Sequence, residues 1–360
     1  MNFKISKSDL KSALSTVSKA VSPKSSISIL EGILFTLESG ALTLTGYDLE
    51  IGVTTTISAE SFDEGKFVVQ PKLIIALINK LSKDETEISV ENDMLTIING
   101  KTEMSLPCLS ADEYPSITSE DGTQTIEIEQ ATLHSLVSQT LYAVAANTTK
   151  PILMGELFEL SNNSLNVVAL DGYRLAIRSE SLTADDIKTV IPAKALNIVL
   201  GLLGGGNCKL HISRKNVKFE IGDYSIFTRT LEGEYHNYKQ SIPKAHTSEI
   251  TAHRVELIES LERCLLLQND RIKSPVRVVF DTDVIKIFCK SQLGSISDTV
   301  QAENIGATCE VGYNPRYLID SLKVLNEDKV TLKVGGANAP TLVESGNYTA
   351  LVLPVRLKNE

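Results

Sequence analysis

The stretch Ile29–Ile51 returns later in the chain as Ile152–Ile177. Ile29 and Ile152 are each followed by a glycine three places on, Gly32 and Gly155. The copies then share Leu34/Leu157, Phe35/Phe158, Leu37/Leu160 and Leu42/Leu165. Each closes on Gly-Tyr-x-Leu, at Gly46–Leu49 and Gly172–Leu175. A fainter third copy, Val276–Ile287, keeps the alternation at Val276, Val278, Phe280, Ile285 and Ile287. Repeat spacing of roughly a third of the chain fixes the architecture as similar domains in tandem. A chain of 360 residues is also too long for one ordinary core. The expected domains are 1–120, 124–243 and 247–360, joined by linkers at Ser116–Thr123 and Gln240–Thr247, where apolar periodicity lapses.

Each third repeats its own parts. Strands are expected at Asn2–Ile5, Thr125–Ile128 and Ser248–Thr251. Each is followed by a helix with one apolar stripe: Leu10, Leu14, Val17, Val21; then Leu133, Leu136, Val137, Leu141, Val144; then Val255, Ile258, Leu261, Leu265. Ser6-Lys7-Ser8-Asp9 reads as a helix start with a side-chain cap. The alternation of Ala41–Val53 reads as sheet covered on one face. A second strand–helix unit follows in every third, its helix opening with Pro71, Pro192 or Pro315. Further strands are expected at Glu87–Val90, Met94–Ile98, Lys209–Ile212 and Val217–Ile221. The fold class is therefore α+β, with helices on one face of antiparallel sheets and six strand–helix units in all.

Catalytic and metal signatures do not assemble. The histidines (His134, His211, His236, His246, His253) never reach His-Glu-x-x-His spacing, and there is no Gly-x-Ser-x-Gly elbow. Gly201–Cys208 has the glycines of a phosphate loop, but Asn207-Cys208 stands where Lys-Ser/Thr is needed; a helix ending in glycines is the plainer reading. Gly335-Gly336 reads as a hairpin turn, and Asp48 and Asp171 as residues bonding their own backbone. The five scattered cysteines suit a reducing, cytoplasmic location, and no apolar run is long enough to span a bilayer. The expectation is a non-enzyme without metal or cofactor. Its net charge of −10 argues against nonspecific coating by nucleic acid, but not against a local basic surface.

The three-part repeat, the Pro-Lys helix start, Asp171-Gly172-Tyr173-Arg174-Leu175 and the C-terminal Leu353-Pro354-Val355-Arg356-Leu357 together resemble the bacterial DNA polymerase III beta subunits, the sliding-clamp family, along the whole chain. The resemblance implies three clamp-type domains, with helices inside and antiparallel sheets outside. Two copies would then close head to tail into a ring around double-stranded DNA. It also implies partners: the replicative polymerase alpha subunit, an ATP-driven clamp loader, and other proteins with clamp-binding peptides. No membrane partner is implied.

By position in that family, Lys24, Lys72, Asn147, Lys150 and Lys194 are expected to contact DNA. Lys24 and Lys150 stand where better-known relatives carry arginine, keeping charge but losing the bidentate fork. Further cations (Lys7, Lys11, Lys19, Lys80, Arg254, Arg263, Arg316, Lys323) occupy polar helix faces; taken alone these fit a solvated surface as well as a phosphate-facing one. The partner-peptide pocket maps onto Leu153, Leu170, Gly172, Tyr173, Arg174, Leu175, His236, Gln240, Ser241, Ile272, Asn314, Tyr317, Asn338, Pro340, Val352, Leu353, Pro354, Val355, Arg356 and Leu357. His236, Gln240 and Ser241 replace a proline, an arginine and a valine of the familiar pocket, and Ile272 an aromatic, so one wall is expected to be more polar. Pro354 cannot donate in a central ladder, so the last strand should end near Leu353. Lys358-Asn359-Glu360 extend past the usual end. At the junction between subunits, Met104 and Leu106 should face Leu266 and Leu267.

Two other classes use such a sequence differently. A scaffold would associate head to tail without closing, which gives filaments, whereas a closing rotation gives a ring. A multi-domain enzyme would gather perturbed carboxylates in one cleft.

Overall fold

The computed structural model describes residues 1–61, 63–118, 124–268 and 275–357. Ile272, Lys358–Glu360 and part of the Ser116–Thr123 linker lie outside the described residues. Among the described residues, six α-helices follow strands directly or after one residue: α1 (Lys7–Val17), α2 (Pro71–Ile78), α3 (Gln130–Ser138), α4 (Ala193–Leu200), α5 (Arg254–Leu265) and α6 (Pro315–Lys323). Their starts are chemically marked. The Ser6 hydroxyl accepts from Asp9 N–H at the head of α1, and the Asn314 side chain accepts from Arg316 N–H at the head of α6. Pro71 and Pro315 occupy first-turn positions, where the missing N–H costs nothing. Pro192 differs from expectation: it ends the strand Ile187–Pro192, and α4 opens at Ala193.

Two stripes also differ. In α5 the buried residues are Leu257, Ile258, Ser260, Leu261 and Cys264, whereas Val255 is 50% exposed on the opposite flank. The apolar run after Leu133 is no single helix. α3 stops at Ser138, and Leu141–Ala143 form a separate 3-10 turn. Thr140 explains the break, because its hydroxyl competes for the carbonyls of Leu136 (2.9 Å) and Val137 (3.3 Å). A similar 3-10 turn, Ser18–Ala20, ends the first stripe before Val21.

The chain forms two compact units, residues 1–131 with 194–230, and residues 132–193 with 231–360. The first holds a four-stranded antiparallel sheet and a nine-stranded one; in the latter Tyr224–Arg229 pairs with Ile51–Ser58. The second holds a twelve-stranded sheet, within which Arg174–Ser181 pairs with Tyr348–Val352. The middle third thus gives half of itself to each unit, because its strands hydrogen-bond into sheets begun by its neighbours. No helix among the described residues is long and apolar enough to cross a membrane.

The repeat's register is set by the turns. Left-handed residues fall at Ser39, Gly40 and Leu49 in the first copy, and at Asn162, Asn163 and Gly172 in the second. The offset is 123 residues throughout, the same that relates Ile29 to Ile152 and Phe35 to Phe158. Asp48 therefore corresponds to Asp171 and Leu49 to Gly172, and the Gly-Tyr matches are out of step by three residues. The sheet expected as one run over Ala41–Val53 breaks at this turn into Ala41–Tyr47 and Ile51–Ser58. Gly46 has a different purpose: a Cβ there would sit 2.3 Å from the Val17 carbonyl oxygen, so it lets the end of α1 lie against the sheet.

One buried group was not foreseen. Glu156 is 0% exposed, with Oε1 2.7 Å from the Thr140 hydroxyl oxygen and Oε2 unpartnered among the described residues. Burial pushes its carboxyl well above the usual carboxylate range, against the smaller opposing effect of Thr140. The native state then holds a proton that the unfolded chain releases at ordinary carboxylate pH, so stability falls as pH rises from that point toward the raised native value. Glu156→Gln removes this dependence. Its melting temperature should match wild type near about pH 4 and exceed it by a few degrees near about pH 8. Parallel melting-temperature curves for the two proteins across that range would refute the assignment.

Candidate functional site

The best-built constellation grows from the turn after the strand Ser164–Leu170. Asp171 Oδ1 accepts from the N–H groups of Tyr173 (2.9 Å) and Arg174 (3.1 Å). Gly172 holds φ +92° within that turn, a conformation that L side chains resist. Arg174 is thereby aimed: its Nε donates to Asp171 Oδ2 at 3.0 Å and its Nη1 to Asp320 Oδ2 at 2.5 Å. The guanidinium also lies over two rings, 5.2 Å from the centroid of Tyr142 and 4.7 Å from that of Tyr317. Burial alone would lower its pKa, but Asp320 and Asp171 outweigh that and raise it above its ordinary value.

Beneath this lies a hydroxyl relay. Tyr348 donates to the Ser321 carbonyl at 3.0 Å, so at the 2.8 Å contact between the two phenols Tyr142 is the donor. Above it, Tyr173 is 62% exposed and stacks on Tyr317 with ring centroids 6.1 Å apart. The result is an aromatic ledge drawn from the middle and C-terminal thirds and held from below by a clamped cation.

The expected leucines form the floor beside it. Leu153, Leu170 and Leu175 pack with Tyr235, Tyr238, Leu342 and Leu351, and Leu353 adds to the edge. Val352 is placed otherwise: it is 0% exposed and belongs to the core around Tyr313 and Tyr348. The last strand ends at Val352, close to the expected Leu353, and Leu353 N–H then donates to the Tyr173 carbonyl at 2.9 Å. The tail crosses Gly312, where Val355 N–H donates to the Gly312 carbonyl at 2.8 Å. A Cβ on Gly312 would lie 2.3 Å from the Val355 carbonyl oxygen and 2.9 Å from the Leu357 side chain, so only glycine admits this course. Val355 remains 39% exposed, and Arg356 is exposed.

The altered wall is polar. His236 Nε2 and Ser241 Oγ are 3.0 Å apart, and His236 and Gln240 are exposed. Tyr235 and Tyr238 anchor this segment through hydrogen bonds to the Val168 carbonyl (3.2 Å) and Glu159 (2.7 Å). Asn314 is occupied in capping α6, Asn338 is exposed in the loop after Lys329–Val334, and Pro340 is half-buried before Thr341–Ser345.

Lys24, Lys72, Asn147, Lys150 and Lys194 are all exposed. Lys194 is also bound, its ammonium 2.5 Å from Asp48 Oδ2. Several other cations on helix faces are paired: Arg263 with Asp298, Lys323 with Glu262, and Arg254 with the Glu327 carbonyl. Met104 and Leu106 lie on the edge strand Thr102–Pro107; Leu106 is 5% exposed and completes its own core, while Met104 is half-buried. Leu266 is 76% exposed just past α5, beside a half-buried Leu267.

Tyr142, Asp320 and Gly312 escaped the reading of the sequence. Asp320 follows Tyr317 by three residues, which puts both on one helix face, and Gly312 interrupts a strand. Both signals were present, but nothing local identified what they would meet.

Three family profiles match consecutive parts of the chain, described as the N-terminal, central and C-terminal domains of the DNA polymerase III beta subunit, over residues 1–118, 127–237 and 239–356. The beta sliding clamp of Bacillus subtilis is 30% identical over 376 aligned positions, covering 99% of this chain and all of that protein. The crystal structure of the DNA polymerase sliding clamp from Bacillus subtilis superposes with a TM-score of 0.94 at 28% identity, over 99% of each chain. A putative DNA polymerase III beta subunit from Eubacterium rectale gives 0.94 at 26% identity over the whole of both chains. With its three clamp domains and antiparallel α+β architecture, the chain belongs to the DNA polymerase III beta subunit family, the sliding clamps, whose part is that of a processivity factor and not of a catalyst.

Proposed function

We propose that two copies of this chain join head to tail into a closed ring around duplex DNA in the cytoplasm, and that the replicative polymerase and other proteins dock extended peptides on the aromatic ledge and leucine floor. The observation that carries the docking site is Arg174, fixed by Asp171 and Asp320 over the rings of Tyr142 and Tyr317, with the exposed Tyr173 stacked on Tyr317. Such a preorganised surface removes most of the ordering cost on the protein's side of the contact. Each buried leucine-sized anchor contributes about 1.5–3 kcal/mol, enough for reversible exchange of partners through a few anchors.

Ring closure rests on unpaired backbone. Thr102–Pro107 is the edge of its sheet, and among the described residues Gly294–Gln301 pairs along one side only, with the strand Val284–Ser291, from Val284↔Gln301 to Ser291↔Gly294. Open edges are natural sites for pairing with another chain. Leu266 and Leu267 then meet Met104 of a second copy, whose Leu106 on the same strand is buried in its own core. An ATP-driven loader supplies the opening step, since Gly201–Cys208 carries no lysine for phosphate and its glycines end α4.

Deleting Val355–Glu360 should abolish stimulation of the polymerase while leaving dimers intact, and Gly312→Ala, by evicting the tail, should weaken binding of a polymerase-derived peptide at least about tenfold. Normal stimulation by the truncated protein would sink the docking site. Changing both Leu266 and Leu267 to glutamate should give monomers by native mass measurement; wild-type dimers from that protein would exclude this junction. After loading on nicked circular DNA, the protein should resist high salt and be lost once the circle is cut. Equal retention on circular and linear forms would mean ordinary groove binding instead.

A further inference from the structure

Asp48 divides its two oxygens between two tasks. Oδ1 accepts the N–H groups of Glu50 (3.1 Å) and Ile51 (2.7 Å) and so closes the turn into Ile51–Ser58. Oδ2 holds the ammonium of Lys194, which reaches over from the first turn of α4. The carboxylate side chain is 10% exposed, the lysine 56%. The acid is therefore fixed by the backbone, while the cation can leave it. Asp171, its counterpart in the second copy, uses the same division: Oδ1 takes the turn N–H groups and Oδ2 takes Arg174. Among the described residues, Lys24, Lys72 and Lys150 form no ion pair, so Lys194 is restrained in a way the other candidate phosphate-facing lysines are not.

We infer that Asp48 is a positioning residue that tethers and partly neutralises Lys194, and so limits how firmly the protein grips the DNA backbone. The inference rests on the proposed ring around duplex DNA and on the DNA-facing position expected of Lys194 from the family resemblance. A phosphate that recruits Lys194 must displace Asp48, leaving a fixed carboxylate nearby; the contact therefore yields less than one from a free lysine. A weak, sequence-independent grip suits a ring that must move along its duplex, since phosphate contacts position a protein without specifying where it stops.

The test measures binding of the full-length dimer to a labelled linear duplex of about 30 base pairs, by fluorescence anisotropy over a range of salt. Asp48→Asn keeps an oxygen for the two turn N–H groups and removes the charge. Binding should tighten several-fold at about 50 mM salt, and the slope of log K against log salt should steepen by part of the about 0.9 that a whole phosphate contact adds, since the tethered lysine already supplies the remainder. Asp48→Ser, which can also close the turn, should give the same shift should the asparagine variant fold poorly. Neither change should alter binding in a Lys194→Ala background. An unchanged slope in the Asp48 variants, with a slope lowered by Lys194→Ala, overturns the role of Asp48 alone. An unchanged slope in Lys194→Ala overturns the DNA-facing role of Lys194, and this inference with it.

Discussion

Backbone pairing across the repeat boundaries is the constraint on which the rest of this structure depends. A strand edge buried without partners leaves N–H and C=O groups unsatisfied, and one left bare invites foreign chains. The middle third resolves this by giving its edges to its neighbours, Tyr224–Arg229 to Ile51–Ser58 and Arg174–Ser181 to Tyr348–Val352. A unit of the repeat is consequently not a unit of packing, and each compact unit contains strands from more than one third.

The same pairing builds the candidate docking site. Leu175 and Leu351 are register partners on adjacent strands, so the leucine floor runs across the boundary between middle and C-terminal thirds. Arg174 heads its strand opposite Val352, which brings its guanidinium to Asp320 and Tyr317 on α6. The ledge therefore exists only when the two thirds are zipped together. Breaking Arg174 from Asp171 and Asp320 would strand a partly buried charge, a larger loss than removing an exposed pair.

The two aspartate turns show how a repeat diversifies. Both copies spend one carboxylate oxygen on the turn and keep the other for a cation. In one copy the cation is an exposed lysine on α4, and in the other an arginine sealed between aromatic rings. The backbone device is constant, while burial decides whether the captured charge stays mobile or becomes part of the framework. Leu49 accepts the left-handed conformation that Gly172 adopts freely, so the first copy carries a strain absent from the second.

The sequence by itself determined the tandem repeat, the six strand–helix units and most of their bounds, because periodicity, caps and turn residues act over a few neighbours. Ser6, Pro71 and Asn314 mark helix starts through bonds to the next turn, and Pro354 limits the last strand by lacking a donor. The leucines of the floor and Arg174 were legible through family resemblance, since their residue types alone fit an ordinary core equally well. Tertiary structure decided the rest. It broke the apolar run at Thr140, turned Val255 outward, sent Val352 into the core and buried the carboxyl of Glu156. It also set Gly312 beneath the tail and Asp320 beside Arg174, across wide gaps in sequence. These outcomes depend on which surface each side chain meets after the sheets have paired, and no local pattern carries that information.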